Sequence, residues 1–256
     1  NEKIREIECV NKNNNYPISA PLEYYFDFTS KCNLRCKHCY NKENLSSTTM
    51  KYEKIVQIIE DMYNSGIMRI HLAGGEPTSD PEGLNIYMST AKKYGIISSM
   101  SSNGVNINDD IYKIVFDNDL FSFTISLEGA DEESNAKIRG KGNFEKSIKT
   151  IKKMVSLKKE LKKNTIICIK MSYDTSVTYE ELENFVLLGI ALGVDVVKFA
   201  NPERCAFHEK GFYGSVYEDY YKVLKMISNI KNKYDDKIDI SEASNPVNDC
   251  GDIGLP

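Results

Sequence analysis

An α/β fold around a parallel sheet is what the sequence predicts, on three observations. Short runs rich in β-branched and aromatic residues alternate with helix-patterned segments from residue 22 to about 234, the order expected of repeated βα units. Where the helical segments can be traced, their apolar residues fall on one stripe, as a helix laid on a sheet requires. The 256 residues are also enough for one large domain with a sizeable buried core.

Taken in order, the expected strands are "LEYYFDFT" (22–29), "MRIHLAGG" (68–75), "IISSMSSN" (96–103), "FSFTISLE" (121–128), "TIICIKMSY" (165–173) and "VVKFAN" (196–201). The polar run "NKNNNYP" (11–17) reads as a loop leading into the first of them. Between the first two strands, Ile55, Ile58, Ile59 and Met62 recur at i, i+3, i+4 and i+7 and predict a helix facing the sheet. Further helices are expected at about 82–94, 109–117, 143–163, 179–192 and 216–233. The helix over 143–163 carries eight lysines, read as a solvated face, opposite Ile148, Ile151, Val155 and Leu161. In the last helix Tyr217, Tyr220, Tyr221, Leu224 and Ile227 share a face, which assigns the tyrosines to packing.

Composition excludes some classes of function. The formal net charge of -4 argues against nonspecific affinity for nucleic acid or an anionic membrane surface. No apolar run approaches the roughly 20 residues needed to cross a bilayer, so no membrane partner is expected. Seven cysteines at irregular intervals, three of them crowded together, do not resemble a secreted disulfide framework, and a reducing cytoplasm suits them better. The chain opens at Asn1 rather than Met and stops shortly after Cys250. These ends predict a missing C-terminal extension, and a division into an N-terminal segment (1–20), a barrel (21–235) and the start of that extension (236–256).

In parallel βα architectures ligands gather where strands end, and two motifs stand there. "CNLRCKHCY" (32–40) leaves the first strand and "GGEP" (74–77) ends the second. Cys32, Cys36 and Cys39, spaced C-x3-C-x2-C, suggest a thiolate-bound metal that lacks a fourth local ligand. Zinc would need His38 or His71 to complete a Cys3His set. A 4Fe-4S cluster held by three thiolates would leave one iron open to an exogenous ligand, with Arg35, Lys37 and backbone N–H groups offsetting its charge. Cys168, inside the fifth strand, reads as a small buried hydrophobe.

"CNLRCKHCY" resembles the cluster loop of the radical S-adenosylmethionine (SAM) enzymes, C-x3-C-x-Φ-C, with His38 in place of the usual aromatic residue. The resemblance implies a partial (β/α)6 TIM-like barrel over residues 20 to 234, with Cys32, Cys36 and Cys39 as cluster ligands. It further implies that SAM occupies the open iron and is cleaved to a 5'-deoxyadenosyl radical. In the same terms, His38 and the "GGEP" segment (Gly74, Gly75, Glu76) lie beside SAM. Asn103 in "SSNG", Ser126 in "ISLEG" and Arg139 in "KIRGKG" match strand-end residues that bind it, Arg139 being suited to its carboxylate. Ser101 would face the substrate.

Within the family the likeness is strongest to the peptide- and protein-modifying branch that carries a C-terminal SPASM or twitch extension with auxiliary iron–sulfur clusters. The expected function is hydrogen abstraction from a ribosomally made peptide or protein, giving a crosslink, a thioether or an epimerised centre. A reducing partner such as flavodoxin or ferredoxin is implied. Cys205, just past the sixth strand, is a candidate hydrogen-atom donor. Sulfatase-maturing type oxidation and small-molecule cofactor biosynthesis are alternatives, as is a noncatalytic iron–sulfur or zinc scaffold.

Overall fold

The computed structural model describes residues 23–39, 41–173, 175–200 and 217–241. Seven strands form one sheet: β1 (Glu23–Phe26), β2 (Arg69–Leu72), β3 (Ile97–Ser102), β4 (Ser122–Leu127), β5 (Ile166–Ser172), β6 (Val196–Ala200) and β7 (Asp239–Ser241). They lie in sequence order, each parallel to the next. Helices cross between them: α1 (Tyr52–Asn64), α2 (Pro81–Lys93), α3 (Asp109–Asp117), α4 (Glu132–Arg139), α5 (Asn143–Glu160), α6 (Tyr179–Leu192) and α7 (Tyr217–Tyr234). With β1 and β7 at opposite edges, this is an open, partial βα barrel rather than a closed one.

Period-two alternation assigns each strand its two faces. Ile70 and Leu72, Met100, Phe123 and Ile125, Ile167 and Ile169, and Val197 and Phe199 are buried in the core between sheet and helices. The intervening residues, among them Tyr25, His71, Ser99, Ser101, Thr124, Lys170 and Lys198, face the concave side. That side is mostly polar.

Helix ends are set by local chemistry. Asp80 accepts the Gly83 N–H at 3.1 Å ahead of Pro81 at the start of α2, and Asn108 accepts the Ile111 N–H at 3.1 Å ahead of α3. Thr178 and Glu181 form a reciprocal capping box at the start of α6.

The α/β architecture and the six expected strands are present, each within a few residues of its expected span. Four details differ. A seventh strand, β7, extends the sheet, and at three residues it is too short to show a pattern in sequence. An additional helix, α4, lies between β4 and α5. Leu161 is exposed rather than on the buried stripe of α5, because that helix ends at Glu160, and Met154 fills the inner position instead. Tyr221 is also exposed, because Val223, Ile227 and Ile230 take the buried face of α7. The side chains of Tyr217 and Tyr220 lie outside the described part, as do residues 1–20 and the "NKNNNYP" loop.

Candidate functional site

The cysteine loop leaves β1 and is fastened on three sides by backbone. A return segment pins one side: Ser30 N–H bonds Thr48 O at 3.0 Å, Met50 N–H bonds Phe28 O at 2.8 Å, and Thr29 bridges Thr49. The exit of β2 pins the second, with Gly75 N–H on Thr29 O at 3.0 Å and Glu76 N–H on Lys31 O at 2.6 Å. The last turn of α4 holds the third, where Ile138 O accepts Lys37 N–H at 3.1 Å.

The two glycines permit this packing. Gly74 has φ +100°, in the region that favours glycine, and a Cβ there would stand 2.9 Å from Thr29 O. A Cβ on Gly75 would collide with the backbone of Ser30 and Lys31. The close approach that "GGEP" makes is therefore to the cysteine loop.

Cys32, Cys36 and Cys39 are free thiols of intermediate burial, and Cys168 is a buried one. Burial pushes the thiols of Cys32 and Cys36 up, while Arg139 pulls Cys36 the other way and the Leu34 N–H, at 3.4 Å from Cys32 Sγ, does so for Cys32. Metal binding here has to displace protons. Arg35 spends its guanidinium on the loop carbonyls, with Nη1 at 2.9 Å from Cys32 O and 2.8 Å from Leu34 O.

Glu128, at the end of β4, organises the wall beside Cys36. Its Oε1 accepts from Arg139 Nη2 at 2.7 Å and Nε at 3.2 Å, and pairs with His38 Nε2 at 3.2 Å. Its Oε2 accepts the Ser172 N–H at 3.1 Å. Burial alone would raise the Glu128 carboxyl, but Arg139 and then His38 hold it below the ordinary Glu value. Arg139, so fixed, lies with Nη1 3.9 Å from Cys36 Sγ. His38 Nδ1 is buried without a hydrogen-bond partner among the described residues, an orphaned acceptor or donor beside the cysteines.

Glu76 is 2 % exposed, and its partners are neutral: Thr78 N–H (3.2 Å) and Oγ1 (2.7 Å), Ser102 Oγ (2.8 Å) and Asn103 N–H (2.7 Å). It ties the ends of β2 and β3 together. Burial pushes its carboxyl up, while those bonds oppose the shift. Asn103 is engaged as well, donating to Asn33 Oδ1 at 2.7 Å and accepting the Val105 N–H at 2.9 Å. Ser126 is buried on the concave side of β4, paired in register with Lys170. His71 has both ring nitrogens bonded, to Ser99 at 2.8 Å and Ser101 at 2.9 Å, so it is not turned to the cysteines as a zinc ligand.

The structure thus places Arg139 against Cys36, His38 against Glu128, Gly75 and Glu76 on the backbone of Thr29 and Lys31, and Asn103 on Glu76 and Asn33, with Ser126 on β4; among the described residues no three His, Cys, Asp or Glu side chains are placed to hold a metal ion as they stand. Cys205, Cys9 and Cys250 lie outside the described residues. Sequence reasoning left Glu128 without a place and missed α4, whose signals were present: Asp131 as N-cap, Glu132 and Glu133 in the first turn, and Gly140 as terminator.

The Radical SAM superfamily matches residues 26–186, well over half of the chain and all of the site just described. The protein belongs to the radical SAM superfamily. Over 179 residues it is 26% identical to the mycofactocin maturase MftC of Mycolicibacterium smegmatis, covering 69% of this chain and 43% of that protein. Over 230 residues it is 24% identical to the PqqA peptide cyclase of Methylorubrum extorquens, covering 89% and 55%. In fold it is similar to Streptococcus suis SuiB bound to its precursor peptide SuiA, with a TM-score of 0.78 at 18% identity, covering 96% of this chain and 54% of that one. The chain spans about half the length of the relatives it matches. Among the described residues no helix is long and apolar enough to cross a membrane.

The family's cofactors are a 4Fe-4S cluster and SAM, and in its chemistry, three thiols on one loop, the donor set suits the cluster. Three free, half-buried thiols leave one loop, the loop is braced on three sides, and a guanidinium stands against one sulfur to offset thiolate charge.

Proposed function

We propose that this radical SAM protein abstracts a hydrogen atom from a residue of a ribosomally made peptide or protein, setting up a crosslink, thioether or epimerised centre. The braced cysteine loop with Arg139 against Cys36 carries the reading, and the peptide-modifying character of the relatives supports the choice of substrate. Cys32, Cys36 and Cys39 would hold the cluster. When bound, the cluster supplies the electron that cleaves SAM to methionine and a 5'-deoxyadenosyl radical, the electron coming from a carrier such as flavodoxin or ferredoxin.

The chain's own residues do the positioning. Arg139 supplies positive charge at Cys36, and Glu128 fixes its direction. His38 Nδ1 offers a polar contact to SAM from beside Cys39. Glu76 and Asn103 hold the β2 and β3 exits rigid under the cofactor. Ser126 presents a hydroxyl from the concave side of β4, and Gly74 and Gly75 set how closely the "GGEP" backbone approaches.

The test is to incubate the anaerobically reconstituted protein with SAM, reductant and a perdeuterated candidate peptide. Deuterium appearing in 5'-deoxyadenosine, with hydrogen loss or exchange in the peptide, is the expected result. Turnover of SAM without deuterium transfer from any peptide offered would point to a small-molecule substrate.

A further inference from the structure

The N-terminal half of α5 carries positive charge with no counter-charge among the described residues. Over 143–153 four lysines, Lys146, Lys149, Lys152 and Lys153, accompany a single acid, Glu145, in a chain whose net charge is -4. All four are exposed, and none makes an ion pair or a hydrogen bond among the described residues. Farther along the pattern changes: Lys158 pairs with Asp195 at 2.6 Å, and Lys163, just past the helix, pairs with Asp119 at 2.7 Å. The acids of α4, which packs on α5, are engaged elsewhere. Glu132 accepts the Gly142 N–H, and Glu133 pairs with Lys137 at 3.4 Å. Lysines three and four residues apart on one helix face repel one another, and a partner bearing carboxylates would relieve that repulsion.

Beside these lysines runs a shallow groove lined by Phe144, Glu145, Ile148, Lys149 and Lys152. Its surface is mostly apolar, the two lysines adding their methylene stems. It runs about 12 Å along the helix. Ser147, Ile151 and Met154 are the buried residues of α5, so the groove lies toward the exposed side of the helix and away from the concave face of the sheet. An apolar strip flanked by unpaired cations suits an acidic protein, whose carboxylates meet the ammonium groups while apolar side chains fill the groove.

The groove begins where α5 meets the wall of the cysteine loop. Asn143, the first residue of the helix, donates from Nδ2 to Arg139 O at 2.7 Å. Arg139 Nη1 lies 3.9 Å from Cys36 Sγ, and Ile138 O accepts the Lys37 N–H at 3.1 Å. A protein seated on the groove therefore abuts the cysteine wall without entering the concave side.

We propose that this face of α5 docks a small acidic electron-carrier protein, a flavodoxin, which delivers its electron at the cysteine wall. The proposal rests on the radical reading above, which needs an electron donor, and it gives that donor a surface. In the step one electron leaves the reduced flavin of the carrier and one enters the oxidised cluster; no bond forms or breaks. A second copy of this chain, itself acidic, is the other candidate occupant, and the cysteine wall at the end of the groove favours the carrier.

The test uses the cluster-loaded protein, oxidised and kept anaerobic, with a flavodoxin as the probe. Carbodiimide couples carboxylates to lysines in contact, and mass spectrometry of the coupled peptides should place the flavodoxin on Lys146, Lys149, Lys152 or Lys153. Bleaching of the cluster absorbance by fully reduced flavodoxin is followed by stopped flow. Lys149→Glu with Lys152→Glu should lower the second-order rate constant about tenfold or more at low salt. Lys225→Glu with Lys231→Glu, the same charge change on exposed positions of α7, should stay within about threefold of wild type. At about 1 M salt, where screening acts within about 3 Å, the wild-type rate should fall to within about threefold of the α5 variant. Bleaching by dithionite should match wild type in both variants. Crosslinks confined to other surfaces, an equal loss in the α7 variant, or an unchanged rate in the α5 variant overturns the proposal. Crosslinks through these lysines between two copies of the chain, with none to flavodoxin, assign the face to self-association and overturn it as well. Formation of 5'-deoxyadenosine with dithionite is measured on the same samples, so failure of the radical reading shows separately from failure of the docking surface.

Discussion

Replacing Glu128 by glutamine keeps the shape of the side chain and an acceptor for the Ser172 N–H, but removes the charge that faces Arg139. The two side chains are 5% and 11% exposed, so the guanidinium loses its counter-charge where water cannot replace it. Breaking a buried pair from one side costs about 3–5 kcal/mol, whereas removing both charges together is close to neutral. With an m-value of about 3 kcal/mol per M, the urea midpoint of the metal-free protein should fall by about 1 to 1.7 M in Glu128→Gln. The double variant Glu128→Gln with Arg139→Met should recover most of that loss, giving a coupling energy of about 2 kcal/mol or more. A single-variant cost below about 1 kcal/mol, or strict additivity in the double variant, would refute Glu128 as the hub of this wall.

Three further outcomes follow from individual contacts. His71 is depressed to about 4, by burial first and then by Lys170 and Lys198, so its contribution is fully present above its unfolded value of about 6.5 and is lost as pH falls from there through 4. Over that window wild type should lose up to roughly 3 kcal/mol relative to His71→Gln, and parallel stability curves would contradict the assignment. Gly75→Ala should strain the contact between the "GGEP" turn and the cysteine loop by about 1–3 kcal/mol and lower the iron bound per chain after reconstitution; wild-type iron content would refute it. Glu76→Ala strips the acceptor from Thr78, Ser102 and the Asn103 N–H, so thermal or urea unfolding should show a loss of about 3 kcal/mol or more, and a loss under 1 would show that water replaces it.

How much of this was legible depended on the range of the interaction. The C-x3-C-x2-C spacing and the turn after β2 are local, and alternation in "SSMSS" and "FTISL" tells one face of a strand from the other. Strand-end position and family resemblance together sufficed to place Cys32, Cys36, Cys39 and "GGEP" near one another. Arg139 was identified, but its partner was not, because Glu128 meets it only after α4 folds back between them. Glu76 was set beside SAM by resemblance alone, and only the structure shows four neutral donors from two strand ends already on it. That Lys158 and Lys163 meet acids while Lys149 and Lys152 do not depends on which residues other elements bring beside α5, which the lysine run itself does not contain. Leu161 and Tyr221 were misplaced because a stripe was carried past a helix end in one case and centred about a quarter turn off the buried face in the other, where Ile227 is buried and Leu224 packs on the core but Tyr221 is exposed.

The most direct test of the central claim is formation of 5'-deoxyadenosine by the protein reconstituted with iron and sulfide without oxygen, reduced with dithionite and given SAM, beside a Cys36→Ala control. The account predicts product from the wild-type chain and its loss in the control. A wild-type chain that carries a full, reducible cluster and yields no 5'-deoxyadenosine would contradict it.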